Sequence, residues 1–383
     1  MNTTVTPCPI EIGDEQLDDL RRRLEMTRWP EKETVSDWSQ GAPLAYIREL
    51  CDYWLNDYDW RRCERALNRF SPAKTTVDGL GIHFLHIPSP HDNALPLILT
   101  HGWPGSLVEF AQVIEPLVNP TAFGGRARDA FHLVCPSLPG YGFSDKPEET
   151  GWDMHRIARA WDQLMARLGY DRYVAQGGDW GSAVVHAIAQ LPESRCLGIH
   201  TNMPILSPDP ETMDDLTESE KSALAGMQYY QEKDSGYAKI QSTRPQTLGY
   251  GLTDSPSAQA AWNVEKFWAW TDCGEGADRH PEKVLTKDQL LDNIMMYWLP
   301  AAGASSARLY WESFISMDSS PIEMPVGCSI FPGEIFRASR RWAEKRYSNL
   351  IHWNELDRGG HFAAFEQPDI FVDEVQQCFR YFR

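Results

Sequence analysis

Apolar positions recur along this chain in two rhythms. Over residues 14–29, Leu17, Leu20, Leu24 and Met26 fall near helical spacing among Arg21, Arg22 and Arg23, which predicts an amphipathic helix. The same rhythm predicts helices over about 43–56, with Ile47, Leu50, Tyr53 and Trp54 on one face, and over about 60–70. Extended runs follow. Residues 75–77 and 82–86 flank Asp78-Gly79, a pair suited to the positive φ values of a tight strand connection. His83 and His86 alternate with apolar residues on the second run, and without convergent partners they read as structural or surface histidines.

From residue 95 the pattern alternates between short apolar runs and helical stretches. Residues 95–100 read as a buried parallel strand, 107–118 as a helix, 131–135 as a strand, 154–168 as a helix, 173–176 as a strand, 182–190 as a packed helix and 197–201 as a strand. This order predicts an α/β class with a mostly parallel central sheet and crossover helices. The alternation stops at Met203-Pro204. From there to about residue 320 the chain is helical and aromatic, with Trp262, Phe267, Trp268, Trp270, Tyr297, Trp298, Tyr310 and Trp311, which reads as a helical cap inserted into the core. Strand patterns resume at 325–331 and about 351–353, and a helix over about 368–382 closes the sheet. The expected division is an N-terminal helical extension (1–70), a first core segment (71–204), the cap (205–322) and a second core segment (323–383).

With 383 residues, 42% of them hydrophobic and 15 of them Trp, the chain can build a large core and an aromatic-lined cavity. A net charge of -18 disfavours nucleic acid and anionic membrane as partners. The eight cysteines lack paired short spacings, so neither a zinc site nor a disulfide framework is signalled, and reduced thiols in a cytoplasmic protein are expected. Residues 1–10 carry neither a basic leader nor a long apolar run, and no stretch approaches the ~20 apolar residues of a spanning helix.

The chemistry centres on Gly177-Gly178-Asp179-Trp180-Gly181, between the strand over 173–176 and the helix over 182–190. Gly and Asp are also ordinary turn residues. A strand turning sharply into a helix around Gly-x-nucleophile-x-Gly is, however, the nucleophile elbow of the α/β-hydrolase fold. Asp in the nucleophile slot changes the reaction, because a carboxylate already ionised near neutral pH can displace a leaving group at saturated carbon and form an alkyl ester. Epoxides and alkyl halides are the natural targets. His101 to Ser106 follows its strand as a Gly- and Pro-rich loop able to present oxyanion donors, and it lacks the Lys of a phosphate-binding loop. In this fold the order is nucleophile, acid, base, each after a strand, and Asp179, Glu334 and His361 satisfy it. Glu323, Asp318 and Asp357 compete with Glu334 for the acid position. Glycines flanking His361 allow the loop to present its imidazole closely.

Gly177 to Ser182, His101 to Ser106 and Gly359 to Pro368 together resemble the microsomal-type epoxide hydrolases, the group that includes the juvenile-hormone epoxide hydrolases. The resemblance covers nearly the whole chain, the N-terminal helical extension included. It implies a soluble bacterial-like member without the hydrophobic anchor of membrane-bound relatives, serving xenobiotic breakdown or natural-product biosynthesis such as that of enediynes. It also implies two cap tyrosines, Tyr237 within Gly236 to Gln241 and Tyr310 within Ala307 to Tyr310, as proton donors to an opening oxirane. Backbone N–H groups of Trp103 and Trp180 would hold the oxyanion. An epoxide and water are the expected partners, no metal or organic cofactor is expected, and a homodimer fits the resemblance. A haloalkane or haloacid dehalogenase with the same Asp nucleophile is the competing enzyme, and a non-catalytic hydrolase-fold binding protein the competing class.

Overall fold

The computed structural model describes residues 4–314 and 320–383. Among these residues one sheet is formed by β1 (Thr6–Pro7), β2 (Pro72–Val77), β3 (Leu80–Ile87), β4 (Leu95–Thr100), β5 (Phe131–Pro136), β6 (Tyr173–Gly177), β7 (Cys196–Thr201), β8 (Val326–Ile330) and β9 (Leu350–Glu355). Its spatial order is β1-β2-β3-β5-β4-β6-β7-β8-β9. From β5 to β9 every neighbouring pair is parallel, while β1, β2 and β3 add an antiparallel edge through the β3–β5 pairing. Helices cover both faces of the parallel part, so its strands are apolar in continuous runs rather than by alternation. Leu97, Ile98, Leu99, Val174 and Ala175 are all fully buried.

Three helices precede the sheet, Asp14–Glu25, Leu44–Asn56 and Trp60–Asn68. The first ends before the expected residue 29. Leu20 and Leu24 are buried, but Met26 is 78% exposed and does not belong to the packed face. Pro30 lies just beyond and favours extended backbone before it. The helix expected over 107–118 is also broken, into a 3₁₀ turn at Leu107–Phe110 and a short helix at Ile114–Val118. Pro116 explains the break, because it has no N–H to bond the carbonyl of Gln112 and its ring would collide with that group. Elements not anticipated include β1 and the helix Arg340–Arg346, which is capped by Ser339 accepting from the Trp342 N–H.

Between β7 and β8 the chain forms a helical insertion that includes Glu218–Tyr229, Gly236–Thr243, Pro245–Asp254, Pro256–Trp270, Lys287–Trp298 and Gly303–Ser313. The N-terminal helices are fastened to it. Tyr53 and Tyr58 donate to Asp288 (3.0 Å) and Asp292 (2.7 Å), Arg62 grips both oxygens of Asp292, and Trp38 stacks on Trp268 at 5.0 Å. Among the described residues no helix is long and apolar enough to cross a membrane. All eight cysteines are free thiols. His83 is fully buried with Nδ1 near Ser137, and His86 bonds Tyr170 at 2.9 Å.

Candidate active site

β6 ends at Gly177 and the helix Trp180–Ala189 follows at once, leaving Asp179 on the turn at φ 52° and ψ −128°. A non-glycine residue held there stores strain on the order of 1–3 kcal/mol. Close packing around the turn depends on glycine. A Cβ at Gly181 would stand 2.0 Å from the Thr100 carbonyl oxygen, and one at Gly102 would stand 2.2 Å from Asp179 Oδ1. The loop after β4 can therefore lie directly against the carboxylate, where the Trp103 N–H donates to Oδ1 at 2.7 Å. The Trp180 N–H opens the helix and has no intrahelical acceptor, and the helix N-terminus favours negative charge beside it.

His361, in the loop after β9, places Nε2 3.3 Å from Asp179 Oδ2 and donates from Nδ1 to Glu334 Oε1 at 2.7 Å. Glu334 follows β8, and its side chain is fully buried. Of its rivals, Glu323 and Asp357 are exposed, and Asp318 lies outside the described residues. Burial opposes charge on His361, but Glu334 and Asp179 together outweigh it and hold the imidazole well above its usual pKa. The His361 loop is anchored from both sides. Its N–H donates to the Trp270 carbonyl at 2.9 Å, the Gly359 N–H donates to Asp272 Oδ2 at 2.8 Å, and Asn202 Nδ2 donates to the His361 carbonyl at 3.4 Å.

The insertion brings Tyr237 and Tyr310 over the same point from separate helices, Gly236–Thr243 and Gly303–Ser313. The Trp103 ring stacks on Tyr237 at 4.8 Å and meets Tyr310 edge-on at 5.9 Å, while Tyr310 also packs on Trp180 at 4.8 Å. Burial pushes both phenols well above their ordinary pKa, with neighbouring phenols and the Asp179 charge adding to the rise. Both hydroxyls therefore keep their protons at neutral pH. All seven residues singled out by sequence meet in this one place.

Sequence reasoning did not pick out three neighbours. Tyr230, in a π-helical turn, lies with its hydroxyl 3.0 Å from that of Tyr237. Lys266 is buried between Asp234 (2.6 Å) and Glu265 (2.7 Å), with its ammonium 4.6 Å from the centre of the Tyr237 ring. Glu109 follows the loop that carries Trp103 and lines the floor of the site. A seven-residue spacing links Tyr230 to Tyr237, but no local motif marks the other two. Among the described residues no group of three or more His, Cys, Asp or Glu side chains is arranged to hold a metal ion. The arrangement is equipped for displacement by a carboxylate with proton donors opposite, followed by base-assisted attack of water.

Known proteins similar to this chain are epoxide hydrolases. A family model described as epoxide hydrolase N terminus matches residues 5–110, and one for the alpha/beta hydrolase fold matches residues 96–246. A Stigmatella aurantiaca protein bearing an epoxide hydrolase name is 56% identical, over 99% of this chain and 86% of its own length. Epoxide hydrolase 1 of Sus scrofa is 34% identical over 98% of this chain and 88% of its own. Among solved structures, the juvenile hormone epoxide hydrolase of the silkworm Bombyx mori superposes with a TM-score of 0.90 at 32% identity, covering 100% of this chain and 95% of that one. The Aspergillus niger epoxide hydrolase gives 0.89 at 32% identity, over 99% and 96%. The architecture is thus the α/β-hydrolase fold.

Proposed function

The chain belongs to the epoxide hydrolases of the α/β-hydrolase fold, and on that premise we propose that it converts an epoxide and water to a vicinal diol through an ester on Asp179. An Asp179 oxygen attacks an oxirane carbon, the C–O bond breaks, and Tyr237 or Tyr310 gives its proton to the departing oxygen. The ring oxygen becomes a hydroxyl and the enzyme carries a hydroxyalkyl ester. Water then adds to the Asp179 carboxyl carbon while His361 Nε2 takes its proton, with Glu334 stabilising the imidazolium. The N–H groups of Trp103 and Trp180 hold the oxyanion, and removing one such donor typically costs about 3 kcal/mol. Cleavage of the bond between the carboxyl carbon and the alkoxy oxygen, with His361 returning its proton to that oxygen, frees the diol, and the proton left on the Asp179 carboxyl goes back to the tyrosine phenolate to restore the enzyme.

The observation that carries this reading is the line from Asp179 through His361 to Glu334, at 3.3 and 2.7 Å, facing a pair of protonated phenols. A dehalogenase would use the same carboxylate but needs no proton donor for halide. Single turnover in ¹⁸O-labelled water tests the mechanism: the first diol should carry an unlabelled oxygen from Asp179, with the label entering the enzyme. Label appearing directly in that diol would overturn it.

A further inference from the structure

A cavity of about 20 Å³, the space open to the centre of a water molecule, touches both Asp179 and His361. One water needs roughly 10–15 Å³ of such space and two to four polar partners. The walls come from the hydrolase core and include Glu109, Gln176 and Asn202, with no contribution from the helical insertion that carries the phenols. Two oxygens stand out. Glu109 Oε1 and Gln176 Oε1 are fully buried and find no hydrogen-bond partner among the described residues. A buried acceptor left unmatched costs about 1–3 kcal/mol, so two of them beside one water-sized space mark a polar pocket rather than a packing gap.

Glu109 is partly exposed as a residue, but its carboxyl reaches inward past Gly105. A Cβ at Gly105 would stand 1.3 Å from Glu109 Oε1, so glycine at that position is what admits the carboxyl group. Gln176 is 1% exposed, and its Nε2 donates to Asn202 Oδ1 at 3.1 Å, which leaves the Oε1 end for the cavity.

We propose that this cavity binds the water that hydrolyses the Asp179 ester, and that Glu109 is a positioning residue holding that water for His361. The proposal rests on the ester mechanism above. In the step concerned, the water oxygen bonds to the Asp179 carboxyl carbon, one water proton passes to His361 Nε2 and then to the departing alkoxide, and Glu109 accepts the other O–H without net proton transfer. Burial pushes the Glu109 carboxyl up to about 8, against the charge of His361, while the charge of Asp179 adds to the rise. Protonated or ionised, the carboxyl keeps an oxygen able to accept from a water O–H. The phenols approach Asp179 from the insertion and the water from the core, so epoxide and water do not compete for space.

The test is a rapid-quench experiment on the full-length enzyme with styrene oxide, following the Asp179 adduct by intact mass. Glu109→Gln should form the ester at a rate within about twofold of the parent and lose it about tenfold more slowly or worse, so that the adduct accumulates and kcat and KM fall together. Glu109→Asp, which keeps the carboxylate, should recover part of the hydrolysis rate. Ester decay in Glu109→Gln within about twofold of the parent, or an equal slowing of both steps, overturns the proposal. If Glu109→Gln does not fold, Gln176→Met probes the opposite wall by the same measurement, and unchanged ester decay there overturns it equally. Failure of the underlying mechanism looks different, since no adduct would appear in the parent or in His361→Gln.

Discussion

Replacing Glu334 by Gln separates the two half-reactions most sharply. The amide keeps the size of the side chain and a carbonyl oxygen for His361 Nδ1, so the geometry of the 2.7 Å bond survives while the charge is removed. Two unit charges about 4 Å apart, a reasonable separation of ring and carboxyl centres at that contact, attract by about 4 kcal/mol at an effective dielectric of ~20. Only part of a charge has developed on the imidazole when water is being deprotonated, so about 3 kcal/mol of transition-state stabilisation is at stake. At about 1.4 kcal/mol per factor of ten, ester hydrolysis should slow on the order of 100-fold. In the proposed mechanism ring opening uses Asp179 and the phenols, so it should change by less than about tenfold. Rapid mixing of enzyme with excess epoxide, read by adduct mass and diol release, should show a burst of ester followed by slow turnover. Equal slowing of both phases, or ester hydrolysis slowed by less than about threefold, would refute the role given to Glu334.

Removing either proton donor should strike the other half-reaction. Tyr237→Phe and Tyr310→Phe should each slow ester formation by about 10²-fold or more, while Tyr230→Phe, which only deprives Tyr237 of a partner, should cost about tenfold or less; single-turnover alkylation rates measure all three. Lys266→Met leaves Asp234 buried without its cation and should destabilise the fold by about 3–5 kcal/mol, seen as a lower urea midpoint with an unchanged slope. Because His361 has a folded-state pKa above its unfolded value, its contribution to stability is fully present below about pH 6.5 and is lost as pH rises through the raised folded value. Denaturation measured across that range should show the parent losing more stability toward alkaline pH than Glu334→Gln does.

What the sequence disclosed about the site follows from how local each constraint is. The elbow is legible because its requirements fall within a few residues of one another. Asp179 is held at positive φ and Gly181 sits where no Cβ fits, so composition alone betrays the turn. Glu334 was one of four carboxylates until the parallel pairing of β8 with β9 set it beside His361. Tyr237 and Tyr310 emerged only through family resemblance, since 73 positions of helical insertion separate them in the chain. Tyr230 carries only its seven-residue spacing from Tyr237, and Lys266 and Glu109 owe their placement to tertiary packing that no local pattern encodes. The errors have physical sources too. Apolar spacing carried the first helix past its true end at Glu25, and it hid the interruption that Pro116 imposes on residues 107–118.

The helix Lys287–Trp298 is gripped from two directions. The N-terminal helices hold its outer side through Asp288 and Asp292, while Asn293 and Tyr297 donate inward to the carbonyls of Pro104 (2.6 Å) and Gly105 (2.7 Å). This part of the cover works as a keystone and cannot act as a door. Swinging it away would pull on the same few residues that carry the Trp103 N–H and would loosen its hold on Asp179. The anchored side of the cover therefore keeps its register against the Trp103 loop.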